Sequence, residues 1–259
     1  RTLGALLTQP RGEGMAHREH GTAAEMLGEL ESAADRLGDW LQTHITVVTA
    51  AVVGLLVVTG LGAWRFSARD SAEREASTAL AEVRADYLSA MGAQPGSIEV
   101  PELANPTAAA AIREEYEKRY AELAEEHEGT VAATLAAIER AELLGAAGRG
   151  DEAIALLEQA VEKAPSRGAV RGVVIQRLAQ RLEAAGRWAD AADRHEAAAN
   201  LDDYPLRHWA LADAARCRAM AGDAAAARAL YDRLDREAPD FPLSDDQNAQ
   251  RLELRAATG

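Results

Sequence analysis

A single cysteine, Cys217, occurs in 259 residues, so no internal disulfide can staple this chain. That fits a reducing compartment and equally a periplasmic helical protein, and it leaves the compartment open. Aromatic residues are only 4% of the chain although hydrophobic residues reach 48%, so alanine carries much of the apolar content. Alanine favours helix and lets helices approach closely but buries little area, which suits stacked thin helices better than a bulky-cored enzyme. Lysine is limited to Lys118 and Lys163, and the formal net charge of -14 argues against a phosphate-binding surface and hence a nucleic-acid partner. A phosphate-cradling glycine loop, a metal-spaced Cys/His cluster and a serine elbow are all missing. The expectation is therefore no catalytic residue, no cofactor, no metal ligand and no small-molecule substrate.

Strand-forming residues cluster in one place. Between Asp39 and Arg65 no side chain is charged, and residues 45–64 read ITVVTAAVVGLLVVTGLGAW. Twenty helical residues rise about 30 Å, the hydrocarbon thickness of a bilayer. Trp40 and Trp64 stand near the two ends, where amphipathic rings favour the headgroup zone, and Arg65 follows. The sequence thus predicts a retained transmembrane helix at 45–64. A cleaved signal peptide would have a shorter apolar core and a basic leader, whereas residues 25–39 are acidic and helix-patterned. Within about twenty residues of the run, the N-terminal flank carries Arg36 alone and the C-terminal flank Arg65, Arg69, Arg74 and Arg84. By the positive-inside rule this flank keeps the larger domain in the cytoplasm.

Residues 1–24 read as a disordered tail, of which 1–14 have the look of an upstream artefact before Met15. His17 and His20 in that tail have no further ligands nearby and read as solvated. Residues 25–44 form a short amphipathic pre-membrane helix. Beyond the span, 65–91 keep helical periodicity and read as a stalk helix, with Ala76, Leu80, Val83, Tyr87 and Leu88 along one stripe. Pro95, Gly96, Pro101 and Pro106 break the pattern and mark 92–105 as a loop. Asn105 before Pro106 is a helix start, a capping side chain followed by proline at the first helical position. Glu114/Lys118 and Glu115/Arg119 then describe a solvated face.

The domain 106–259 is repetitive. Segments 148–165, 186–203 and 222–239 are alike, and the glycines that begin them and read as opening their helices, Gly148, Gly186 and Gly222, are 38 and 36 residues apart. Each is a second helix preceded by an amphipathic partner, near 130–147, 168–185 and 206–221. Such a unit cannot bury its apolar face alone, so neighbours must stack. Here the chain resembles a tetratricopeptide repeat protein. Small residues stand where that family needs close helix approach: Ala141, Ala153 and Ala160, then Ala179, Ala191 and Ala198, then Ala215 and Ala227, with Pro165 and Pro239 as closing prolines. Arg140 stands where leucine is usual, and Asp203 where the second closing proline belongs. Residues 241–257 read as a C-terminal cap helix, with Ser244 and Gln247 at capping-box spacing.

The whole arrangement, from an acidic N-terminal tail and one span ending in GAWRF to degenerate repeats ending in APDFPLSDDQNAQRLEL, resembles the YfgM family. That resemblance implies a bacterial inner-membrane protein ancillary to the SecYEG translocon, its repeat domain in the periplasm, where it assists exported client proteins or peptides. The arginine flank instead favours a cytoplasm-facing assembly scaffold. A membrane-bound hydrolase, the third reading, would need a deep polar pocket with strongly perturbed acids.

The expected fold class is therefore all-α: an N-terminal transmembrane helix followed by a tetratricopeptide-type helical-hairpin solenoid. In repeat proteins the concave face lined by the first helices is the usual binding surface. Transferring the repeat family's groove positions places Gln176, Gln180, Glu183, Trp209 and Arg216 there as candidate protein-binding residues. Other features read as structural. Arg149-Gly150-Asp151 is an inter-helix turn, Cys217 a small buried apolar side chain, His195 a packing residue, and His208 a helix-start feature beside Trp209.

Overall fold

The computed structural model describes residues 45–256 apart from Pro95, Ile98 and Arg167, and for 45–58, 60–63 and 66 the backbone alone. Among the described residues the chain is all-α: α1 Ile45–Ala90, α2 Pro106–Glu126, α3 Val131–Ala146, α4 Gly150–Lys163, α5 Val170–Ala184, α6 Trp188–Ala199, α7 Arg207–Met220, α8 Ala224–Glu237 and α9 Asp245–Ala256. Two compact units divide it, residues 1–65 and 66–259. Of the first unit only the helical backbone from Ile45 is described, together with the exposed side chains of Thr59, Trp64 and Arg65. Trp40 and the pre-membrane segment lie outside the described residues, as do His17 and His20. Among the described residues, no helix is long and apolar enough to cross a membrane.

Residues 66–259 form stacked helical hairpins. Consecutive helices pack as pairs, α3 with α4, α5 with α6 and α7 with α8. Each pair's first helix also touches the first helix of the next pair, α3 with α5 and α5 with α7, and α7 in turn meets α9. This pairing is that of tetratricopeptide-like repeats. The alanines named from the repeat pattern are all buried: Ala141, Ala153, Ala160, Ala179, Ala191, Ala198, Ala215 and Ala227. A side chain of one carbon at these crossings is what allows neighbouring backbones to approach, so the alanine-rich composition and the thin layering have one cause.

The array begins earlier than the repeated segments. The sequence reading treats 65–91 as a stalk, yet Ala76, Leu80, Tyr87 and Met91 are buried in one cluster with Ala109, Tyr116, Tyr120 and Leu123 of α2 and Ala132, Ala136 and Leu143 of α3. Tyr87 meets Tyr116 with ring centroids 5.2 Å apart, and Arg119 pairs with Asp86 at 2.8 Å. The end of α1 and α2 thus make a first hairpin, so that four hairpins stack among the described residues.

The turns explain the regular glycines. Gly148, Gly186 and Gly222 close the first helices and do not open the second ones. At Gly186 the backbone turns left-handed (φ +73), and Arg187 N donates to Leu182 O across the turn at 2.9 Å. A side-chain-free residue at that position is the common helix ending of this kind. Arg149 to Leu144 and Asp223 to Arg218 repeat the bond, each at 2.9 Å. Gly92 (φ +81) ends α1 in the same way, with Ala93 N on Leu88 O at 2.9 Å.

Both departures from the repeat pattern have structural partners. Arg140, standing for a leucine, reaches back to the buried Glu117 carboxylate of α2 at 2.9 Å, and Arg149 joins it at 3.1 Å. This occupies Arg149-Gly150-Asp151 as a structural turn. Asp203, standing for a proline, accepts from Gly168 N at 2.6 Å. The capping box is formed at the C-terminal helix: Ser244 N donates to Gln247 Oε1 at 3.1 Å, and Gln247 N to Ser244 Oγ at 3.3 Å. Asn105 caps α2 as its spacing predicts, accepting from Thr107 N and Ala108 N.

Candidate functional site

The face built by successive first helices is tied together by polar bridges, one between each neighbouring pair. Arg84 of α1 pairs with Glu139 of α3, and Glu142 of α3 with Arg181 of α5. Arg216 of α7 holds Glu183 of α5 at 2.7 Å, and Gln247 of α9 donates to Asp213 of α7 at 3.2 Å. Beside the apolar core, directed polar and charge-assisted bonds thus help fix the register of successive first helices.

These bridges use several of the residues that the repeat pattern assigns to binding. Glu183 is mostly buried. Its Oε1 takes a hydrogen bond from His195 Nε2 at 2.7 Å and its Oε2 one from Arg216. Burial by itself would raise the Glu183 carboxyl, but the bonds from His195 and Arg216 outweigh it and hold it down at about 2. Arg216 is also 3.6 Å from Asp213, whose carboxyl burial raises above its ordinary range. Gln176 accepts a hydrogen bond from Tyr204, whose ring lies over the bare Cα of Gly172. Gln176, Glu183 and Arg216 are therefore internal partners first.

Gln180 and Trp209 are differently placed. Gln180 is exposed on α5, where it accepts from Arg177 at 3.0 Å. Trp209, at the start of α7, is 40% exposed. Its ring stands edge-on to Phe241 with centroids 4.7 Å apart, and Phe241 also contacts the His208 ring at 6.1 Å. Leu206, just before α7, is exposed as well. This gives an aromatic anchor held at a fixed angle with one side open, the type of residue that carries interface energy. Phe241 was not singled out from the sequence. Its position two residues after Pro239, in the link to the cap helix, gave no periodic signal.

Behind Glu183 lies a second gathering that sequence spacing does not reveal. His195 of α6 and Cys217 of α7 are both fully buried, and with Glu183 of α5 their donor atoms lie within 4.8 Å of one another. Burial pushes the Cys217 thiol up to about 12, and the nearby Glu183 carboxylate adds to the shift. A thiol kept protonated is a poor nucleophile, so a cysteine–histidine reaction of the protease kind is not what this arrangement favours.

Open grooves occur between neighbouring helices. One of about 420 Å³ runs between α1 and α3, lined by Leu80, Ala81, Ala85, Leu88, Val131 and Leu135. Another of about 470 Å³ lies between α2 and the end of α3, with Arg113, Glu114, Glu117 and Lys118 on one wall and Leu143 and Arg149 on the other. Neither gathers the perturbed acid pair that a hydrolase would need.

No protein-family model matches the chain, and no curated protein matches it. Two crystal structures are similar to it, both of Podosopora anserina putative kinesin light chain nearly identical TPR-like repeats, one of them a single-residue variant. Each is 18% identical with a TM-score of 0.42, and the similarity covers 57% of this chain and 84% of that one. The description of this chain as an array of tetratricopeptide-like hairpins rests on its own helix pairing, glycine turns and buried alanines.

Proposed function

We propose that this chain is a membrane-anchored tetratricopeptide-like scaffold that binds proteins or peptides through the face of its first helices. The observation that carries the reading is Trp209, half open and braced by Phe241, on a helix array whose Gln176, Glu183 and Arg216 are committed to internal bridges. The apolar run at 45–64 supports the anchor by its length. The role is non-catalytic, which the buried protonated thiol and the structurally engaged acids support.

The YfgM-family resemblance extends this to an ancillary role at the SecYEG translocon, with the repeats in the periplasm and exported proteins as clients. The test is a photo-reactive residue at Gln180, activated in intact membranes. Recovery of a translocon subunit or an exported protein is expected, and recovery of neither overturns the specific role.

The four arginines after the span favour a second reading, a cytoplasm-facing assembly scaffold. Cys217 is fully buried, so a cysteine introduced at the exposed Glu253 would be the reactive thiol. Labelling of whole cells by an impermeant reagent excludes the cytoplasmic reading; labelling only after permeabilisation excludes the periplasmic one.

A further inference from the structure

We propose that Glu183, His195 and Cys217 form a binding site for a divalent cation of the zinc type, placed between the third and fourth hairpins.

The three side chains come from three helices, α5, α6 and α7, and offer one oxygen, one nitrogen and one sulfur. Their donor atoms lie within 4.8 Å of one another. Tetrahedral zinc with N, O and S ligands holds neighbouring donors about 3.5 Å apart, so the widest spacing must close while the 2.7 Å His195–Glu183 contact opens. A hard cation such as magnesium or calcium would want oxygen ligands and would not select a thiol and an imidazole.

A second observation points to a ligand. His195 is wholly buried, yet its Nδ1 has no hydrogen-bond partner, an unsatisfied group of the kind that folded proteins avoid. The imidazole has Glu183 at one nitrogen and nothing at the other, so a cation that takes the glutamate oxygen would leave it free to reorient. Arg216 holds Oε2 of the glutamate and leaves Oε1 to face the cation, the arrangement by which an outer partner orients a ligating carboxylate.

Charge favours occupancy as well. Counted with a neutral imidazole and thiol, Glu183, Asp213 and Arg216 leave one negative charge in a mostly buried place. A zinc ion entering with loss of the Cys217 proton to solvent adds one positive charge and balances it. The cation bonds to Glu183 Oε1, to the unpartnered lone pair of a reoriented His195 at Nδ1 and to the Cys217 thiolate; His195 Nε2 keeps its proton and gives up Glu183, the thiol proton leaves to solvent, and water completes the fourth position. No redox step is involved.

The experiment is a cobalt(II) titration of the full chain, purified in mild detergent under reducing conditions without a histidine tag. One equivalent is expected to produce visible tetrahedral bands and a near-ultraviolet thiolate-to-cobalt charge-transfer band, both displaced by zinc. The charge-transfer band should vanish in Cys217→Ser, and apparent affinity should fall about tenfold or more in His195→Gln. Ions held by His17 and His20 of the tail would lack the thiolate band. Zinc should also raise the melting midpoint of the unmodified chain, a reading that does not depend on any variant folding. Absence of the charge-transfer band in the unmodified chain, its survival in Cys217→Ser, or a melting midpoint indifferent to zinc each overturns the site.

Discussion

The carboxylate of Glu73 accepts a hydrogen bond from the backbone N–H of Val131 at 2.9 Å, across 58 residues of chain, and one from Ala132 N at 3.2 Å. Helix α3 begins with N–H groups that have no partner within the helix. Glu73 satisfies two of them, and Thr130 Oγ1 takes that of Ala133 at 3.0 Å. One glutamate of α1 thus caps the second hairpin and adds negative charge at its positive end.

Glu73→Ala should therefore destabilise the hairpin array by about 1 kcal/mol, the usual size of a lost cap. Glu73→Gln, which keeps the acceptor oxygen and loses the charge, should recover part of it. Urea unfolding of the full chain followed by circular dichroism reads both. Equal midpoints for Glu73→Ala and the unmodified chain would show that Thr130 suffices.

Two glycines should fail for different reasons. A β-carbon at Gly172 would overlap the Tyr204 ring, so Gly172→Ala must displace a buried aromatic and should cost about 1–3 kcal/mol. At Gly186 nothing lies near, but φ is +73, so Gly186→Ala should cost about 1–2 kcal/mol from backbone strain alone. Removing the ring with Tyr204→Ala should suppress the further loss from Gly172→Ala and leave that from Gly186→Ala unchanged. A double-mutant cycle measures this.

The Glu183 network has a pH signature. Its carboxyl is held near 2 in the folded chain against an ordinary value of 4.5, so its protonation opposes the fold. The stabilisation is fully present above the ordinary value and is lost as pH falls from about 4.5 through 2, at most about 3 kcal/mol. Asp213, whose carboxyl burial raises, acts in the opposite sense and reduces the total. Unfolding midpoints of Glu183→Gln should depend less on pH below 4.5 than those of the unmodified chain. Identical pH profiles would contradict the assignment.

Trp209→Ala should lower crosslinking yield from a probe at Gln180 about tenfold or more, the scale of a hot-spot aromatic. Because Trp209 is 40% exposed, helical content should be unaffected. Phe241→Ala should give a smaller loss, since it removes the brace and leaves the anchor. A full yield with both rings removed would locate binding elsewhere on the array.

Legibility along the chain followed the range of the interaction. Asn105 with Pro106, and Ser244 with Gln247, lie within one helical turn and could be read directly. The alanines of the last three hairpins recur at near-constant spacing, and burial followed from that period. The first hairpin escaped because the 92–105 loop stretches the interval from Gly92 to Gly148 to 56 residues, against 38 and 36 for the later pairs. The repeated glycine turn, Ala93 N to Leu88 O, and the core it shares with α2 mark it as the same structure.

The sequence by itself determined the helical class, the hairpin period and the helix starts at Asn105 and Ser244, because each depends on residues near in sequence or on composition. The tertiary structure alone decided that α1 ends as part of the array, that Glu73 caps α3, that Trp209 leans on Phe241, and that Glu183, His195 and Cys217 meet. These contacts join side chains from different helices. Which of them touch depends on the stacking angle and register of whole hairpins, and no local spacing encodes that.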